Sequence, residues 1–231
     1  MCGIAGWIDY KRNLADKSGV IEAMTRALSR RGPDAEGLWV SQQALLGHRR
    51  LVVVDPEGGG QPMSLSWGGT TYILVYNGEL YNTEDLRKEL LYLGHTFRGW
   101  SDTEVLLHAY AAWGRDCVKK LNGIFAFAVW DQEKGRVFLA RDRIGVKPLF
   151  FARLDDGLVF ASEIKALLKH PDIAPRLGTE GLAEIFALGP ARTPGHGVFE
   201  GVEELRPGRA MLFDDSGTEE WSYWSLESRV H

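Results

Sequence analysis

Residues 124–162 read IFAFAVWDQEKGRVFLARDRIGVKPLFFARLDDGLVFAS. Four short apolar runs lie in this stretch, at 124–131, 136–142, 148–153 and 157–162. The links between them are of hairpin length and rich in Asp, Gly and Lys. Strands joined so closely must pair antiparallel, because a parallel pair needs a crossover of about a dozen residues or more. Upstream, CGIAGWI, EGLWV, ALLGHRRLVVVD and TYILVYNGELY also read as strands, the last ending at Asn77-Gly78. Downstream, RAMLFDD and TEEWSYW close the chain with two more.

Helices interrupt the strands. The segment 18–30 places Val20, Ile21, Met24, Ala27 and Leu28 on one face. Asn82 is positioned to cap a helix carrying Leu86, Leu90 and Leu93, stopped by Gly94. Ser101 and Glu104 have capping-box spacing ahead of Leu106, Ala109, Tyr110 and Trp113, with Gly114 as the stop. SEIKALLKH and 179–188 predict two further short helices. Strands, then helices, then strands, without regular alternation, predict an α+β fold of antiparallel sheets packed with helices. A Pro/Gly-rich connection, GPARTPGHG, precedes the closing strands, and a polar tail follows at 225–231.

Composition narrows the function. A chain of 231 residues with 45% hydrophobic and 25% charged residues is ordinary for a globular protein. The formal net charge of −4 offers no electrostatic footprint for nucleic acid or an anionic membrane, and Arg30-Arg31 and Arg49-Arg50 are isolated doublets. The six histidines include no i, i+4 pair and no C-x-x-C occurs, so no metal site is expected. No secretory signal or bilayer-length apolar run is present, and a cytoplasmic location is expected. Gly58-Gly59-Gly60 lacks the Lys-Ser/Thr of a phosphate loop and reads as a mobile loop. Cys117, in RDCVKKL, reads as structural.

Cys2 poses the chemical question. An α-amine titrates near ~8 and a thiol near ~8.5, so with Met1 removed one residue would carry both a nucleophile and its base. Taken alone, a cysteine here is more often a small buried hydrophobe at the start of a strand. Asn77-Gly78 is likewise either a tight turn or a pair of oxyanion donors, and Asp102 either a helix-start carboxylate favoured by the dipole or a ligand for a cation.

Several stretches follow MCGIAG in order: RRGPDAEG (30–37), GHRRLVVVD (47–55), YNGELYN (76–82), SDTE (101–104) and ARDRIGVKPLF (140–150). ASEIKALL (161–168) and TPGHGVFEGVEELRPGRAML (193–212) extend the pattern. This set resembles the glutaminase domain of class II glutamine amidotransferases, which are N-terminal-nucleophile hydrolases, and its RGPD form is similar to that of glutamine-hydrolysing asparagine synthetases. The resemblance implies a four-layer αββα sandwich over 2–224. It implies Cys2 as nucleophile, with Asn77 and Gly78 forming the oxyanion hole. Glutamine would be held by Arg50, the backbone of Leu51 and Val53, Glu79 and Asp102. Arg31 and Asp34 would order the loop beside the N-terminus, and Arg141 and Asp142 would form an ion pair supporting the nucleophile's strand.

No metal or cofactor is implied for this half-reaction. ATP and Mg2+ are expected only in a synthetase domain joined in cis, whose SGGxDS-like pyrophosphate loop does not occur here. The chain is therefore expected to be part of a longer enzyme. A different amidotransferase acting on a natural-product acid, and a non-catalytic glutamine-binding module, remain the alternatives. The eight tryptophans are compatible with a core or with an interface to the synthetase domain, and a homodimer is compatible with the chain.

Overall fold

The computed structural model describes all residues except Val54, Pro190 and 229–231, so the end of the expected tail lies outside the described residues. The strands form two six-stranded antiparallel sheets. One has the order β10 (Val202–Glu204), β8 (Phe150–Arg153), β9 (Gly157–Ala161), β1 (Gly3–Asp9), β3 (Ala44–Arg50), β2 (Ala35–Val40). The second runs β12 (Gly217–Ser222), β11 (Arg209–Asp214), β7 (Arg136–Arg141), β6 (Gly123–Asp131), β5 (Thr70–Leu80), β4 (Met63–Trp67).

Three apolar layers separate the elements, because alternate residues of each strand face opposite sides. Ile4 and Ile8 of β1, Leu46 of β3, Ile73 and Val75 of β5 and Trp130 of β6 fill the gap between the sheets. On the outer face of the first sheet, Ala5 and Trp7 pack with Ile21 and Met24 of α1 (Ser18–Ala27) and with Ala166 of α5 (Ile164–Leu167). On the outer face of the second, Leu74 and Tyr76 pack with Leu86 and Leu90 of α2 (Thr83–Tyr92), Leu106 of α3 (Asp102–Trp113) and Val118 of α4 (Cys117–Lys120). The order helix, sheet, sheet, helix is the four-layer sandwich. A further helix, α6, spans Thr179–Leu188.

Local differences from the sequence reading have physical causes. β5 does not stop at Asn77-Gly78: Asn77 pairs with Ala126 and Gly78 with Phe125, so the pair lies inside a strand. Asn82 makes no side-chain cap on α2; its amide donates to Lys120 O at 2.9 Å and its oxygen accepts from Asn122 N at 3.0 Å. Half of the capping box forms, with Ser101 Oγ accepting from Glu104 N at 3.3 Å, while the Glu104 carboxylate reaches past it to the amides of Arg98 and Gly99. α1 ends at Ala27, and β3 ends at Arg50 instead of continuing through Asp55.

Candidate active site

Strand alternation collects the site. Cys2 continues the parity of Ile4 and Ile8, and Arg50 that of Ala44 and Leu46, so both face the gap between the sheets. Asn77 shares the parity of Ile73 and Val75 and enters the same gap from the opposite sheet. Three of the expected residues, brought from separate parts of the chain, thus converge between two layers.

Each is held in place. The Cys2 thiol lies 3.5 Å from the Leu51 amide, which donates to it, and 3.7 Å from the Leu51 carbonyl. Arg31 donates from Nε to the Cys2 carbonyl at 2.8 Å and pairs with Glu163 at 3.1 Å, so its role is to fix the backbone at Cys2. Asp34 accepts from Val52 N at 2.8 Å, and its own amide donates to Arg50 O, ordering the exit of β3. Gly32 crosses this exit so closely that a Cβ would strike the Arg49 backbone.

The Arg50 guanidinium is buried and engaged by the loop that follows it, donating to Pro56 O at 2.8 Å and Asp55 O at 2.6 Å. Gly59 of the glycine triplet packs on this guanidinium, and a Cβ there would strike Nη2. Asp55 ties the loop to the start of α3: Oδ1 accepts from Gly58 N at 2.8 Å and Oδ2 from Trp100 N at 3.0 Å, bonds that hold its carboxyl below the usual range. The glycine loop is thus packed at the site. Val53, by contrast, is 73% exposed, and its side chain takes no part in the cluster.

The Asn77 side chain is 1% exposed, and its buried amide nitrogen has no hydrogen-bond partner among the described residues. Such orphaned donors are rare and costly unless a ligand uses them. Gly78 adds a second donor. Phe125, opposite it, turns both backbone groups toward Asp142, its amide to Oδ2 at 3.2 Å and its carbonyl to the Asp142 amide at 2.8 Å. Gly78 is therefore in a non-hydrogen-bonded pair, and its N–H points away from β6, beyond the end of β4 at Met63. A Cβ at Gly78 would lie 2.5 Å from Ile124 O, which accounts for glycine at this point.

Asp102 opens α3 and accepts at Oδ2 from the Tyr76 hydroxyl at 2.8 Å and from Leu80 N at 3.2 Å. Burial raises its carboxyl above the usual range, those bonds oppose the rise, and the exposed Glu79 nearby reinforces it. A carboxylate so placed gains from a cationic ligand.

Arg141 and Asp142 do not pair with each other. Arg141 pairs with Glu204 at 3.1 Å and donates to the carbonyls of Lys147, Leu205 and Gly145. Asp142 accepts from the amides of Phe125, Ile144, Val146 and Lys147. Its support reaches β6 opposite Gly78, not the strand of Cys2. Tyr76, His48 and Gln61, which carry much of the wiring, were missed by the sequence reading. The usable signal was position: Tyr76 precedes Asn77, and His48 lies two residues before Arg50 on the same face. Cys117 is fully buried, and its thiol is pushed far up by burial.

The family model for the glutamine amidotransferase domain matches residues 1–224. The chain belongs to the glutamine amidotransferase family. Among curated relatives of this amidotransferase domain, the glutamine-hydrolysing asparagine synthetase 3 of Bacillus subtilis is 54% identical over the whole chain, which spans 38% of that protein. Asparagine synthetase 2 of the same organism is 36% identical over 98% of the chain and 31% of its own length. The domain is thus homologous to the N-terminal part of such synthetases and spans well under half of their length. Among solved structures, glutamine phosphoribosylpyrophosphate amidotransferase of Bacillus subtilis superposes with a TM-score of 0.69 at 20% identity, covering 97% of this chain and 50% of that one; the shared fold is the four-layer αββα sandwich. No helix among the described residues is long and apolar enough to cross a membrane.

Proposed function

We propose that this amidotransferase domain hydrolyses L-glutamine to glutamate and ammonia through a thioester on Cys2. The observation that carries the reading is the buried, unpartnered Asn77 amide nitrogen entering the gap that Cys2 faces. The Cys2 sulfur attacks the side-chain amide carbon, and the C=O electron pair moves onto oxygen. The Asn77 amide and the Gly78 N–H are the donors for that oxyanion. Collapse expels the nitrogen, which leaves as ammonia after taking a proton. Water then adds to the thioester, and glutamate departs with the thiol restored. With Met1 removed, the Cys2 α-amine serves as the proton carrier in both halves.

Arg50 takes the substrate α-carboxylate, a task its planar fork suits. Asp102, helped by Glu79, takes the α-ammonium, and the backbone at Leu51 and Val53 lines the approach. No metal or cofactor enters this half-reaction. In the longer protein, the ammonia passes to a synthetase domain that uses ATP and Mg2+ to convert aspartate to asparagine, in the cytoplasm. The identity to glutamine-hydrolysing asparagine synthetases supports this acceptor over a natural-product acid.

The test is glutamate release from glutamine by the chain, with Met1 removal checked by mass spectrometry. Cys2→Ala should abolish release, and a glutamine-analogue electrophile should label Cys2 and not Cys117. Activity in Cys2→Ala, or full activity with Met1 retained, would overturn the mechanism.

A further inference from the structure

The proposed chemistry is divided between two sheets that share no strand: Cys2 and Arg50 on one, Asn77 and Gly78 on the other. An oxyanion hole works only if its donors sit within a few tenths of an ångström of the developing charge. Apolar packing between sheets is not directional, so something polar must fix the spacing at this end. Tyr10 donates to the carbonyls of Gly135 and Phe213, and Arg141 pairs with Glu204, but these cross-sheet ties involve none of the residues proposed to touch substrate.

His48 is differently placed. It lies on β3 two residues before Arg50, opposite Ile4 of β1, and is 1% exposed. Its Nε2 lies 3.1 Å from the carbonyl oxygen of Tyr76, the residue preceding Asn77. A carbonyl only accepts, so Nε2 carries the proton. Burial, reinforced by the neighbouring Arg50 charge, lowers the titration of His48 to about 4, so the ring is a neutral donor near pH 7. The other polar groups of Tyr76 are also committed, its amide to Gln61 Oε1 at 2.6 Å and its hydroxyl to Asp102. Asp102 opens a helix packed on the second sheet, and Gln61 lies in the connection between β3 and β4 with its backbone carbonyl against Gly37 of β2. His48, by contrast, brings a bond from within the sheet that holds Cys2, on the strand that carries Arg50.

We infer that His48 is a positioning residue: by donating to the Tyr76 carbonyl across the gap, it sets the distance between the Cys2–Arg50 half of the site and the Asn77–Gly78 half. This role rests on the glutaminase reading above. It also explains a histidine where leucine would otherwise continue the apolar face of Ala44 and Leu46. A hydrophobic residue there would fill the space and leave the Tyr76 carbonyl without this bond.

The experiment compares His48→Phe and His48→Gln with the unsubstituted chain. The readouts are kcat and KM for glutamate release, the midpoint of thermal unfolding, and the 15N resonances of the Asn77 side-chain amide. A displacement of the donors by a fraction of an ångström to one ångström predicts a fall in kcat of about 10–10²-fold in His48→Phe, with KM changing far less. His48→Gln, whose amide nitrogen reaches to the place of Nε2, should recover most of kcat, and only the Phe variant should move the Asn77 resonances. Wild-type kcat in a folded His48→Phe would overturn the inference. So would equal losses in both variants at equal thermal stability. Should His48→Phe fail to fold, the tautomer in the unsubstituted chain decides: an Nδ1–H ring, seen in long-range 15N–1H spectra, would overturn the bond. If the unsubstituted chain releases no glutamate, the glutaminase reading fails by itself, and the Asn77 resonances alone decide the positioning role.

Discussion

The Tyr76 hydroxyl and the Leu80 amide both donate to one oxygen of Asp102, at 2.8 and 3.2 Å. The carboxylate is thereby fixed at the start of α3, with its charge stabilised by two donors and opposed by burial. That balance makes Asp102 costly on its own and useful when a cation arrives.

Asp102→Asn should accordingly weaken substrate and strengthen the fold. Loss of a hydrogen bond to a charged group, worth about 1.5–3 kcal/mol, predicts a KM for glutamine higher by about 10–10²-fold. A carboxyl whose folded titration lies above its unfolded value contributes stability below the ordinary value near ~3.9, and that contribution is lost as pH rises through the folded value. Asp102→Asn should therefore raise the unfolding temperature at pH 7, with the gain vanishing below about pH 4. Calorimetry at the two pH values checks the sign.

Asn77→Ala should separate catalysis from stability. Losing one oxyanion donor lowers kcat by about 10²–10³-fold with little change in KM. The amide nitrogen it removes has no partner in the fold, so the unfolding temperature should hold or rise. A large stability loss with unchanged kcat would contradict the assignment of this donor.

Gly59→Ala tests the Arg50 contact. The added methyl group would strike Nη2, the movable end of a long side chain, and would also lie 3.1 Å from Asp55 O. The expected outcome is a KM raised about 3–10-fold, with kcat and folding little altered, because Arg50 can shift but then meets a carboxylate off line. Steady-state kinetics at saturating and limiting glutamine distinguish this from a folding defect.

Acid should destabilise the domain between about pH 6.5 and 4. His48, His108 and His170 are each lowered to about 4, chiefly by burial. The unfolded chain binds protons at the ordinary histidine value while the folded one does not. Stability is therefore full above about 6.5 and is lost as pH falls toward 4. The unfolding temperature should drop on the order of 5 °C or more from pH 7 to 5, and His48→Gln should flatten that slope.

The layers were legible because period-two alternation and hairpin-length links leave few alternatives. α3 was bounded by Ser101 and Gly114 as its capping residues dictate. β4 was hidden by its half-exposed, serine-rich pattern, and β10 by its three-residue length. The end of β5 was misplaced because Asn-Gly is a strong local turn signal, overridden here by pairing with β6 on one side. In the site, Cys2, Arg50 and Asp102 were marked by motifs in the family order; Cys2 and Arg50 face the gap between the sheets, while Asp102 opens α3 and bonds to Tyr76. Tyr76, His48 and Gln61 were not so marked, because their bonds connect strands of different sheets or a strand to a loop, and no local pattern encodes which neighbour a sheet will face.

The engagement of Arg50 by Asp55 and Pro56 has a kinetic meaning. The backbone carbonyls of Asp55 and Pro56 sit on the fork that the proposed mechanism assigns to the carboxylate of glutamine, a surrogate made from the protein's own main chain. Substrate then enters by exchange: the carbonyls must yield as the carboxylate arrives. Affinity is then the difference between two sets of oxygen contacts on one guanidinium, and any other anion meets the same competition from the main chain.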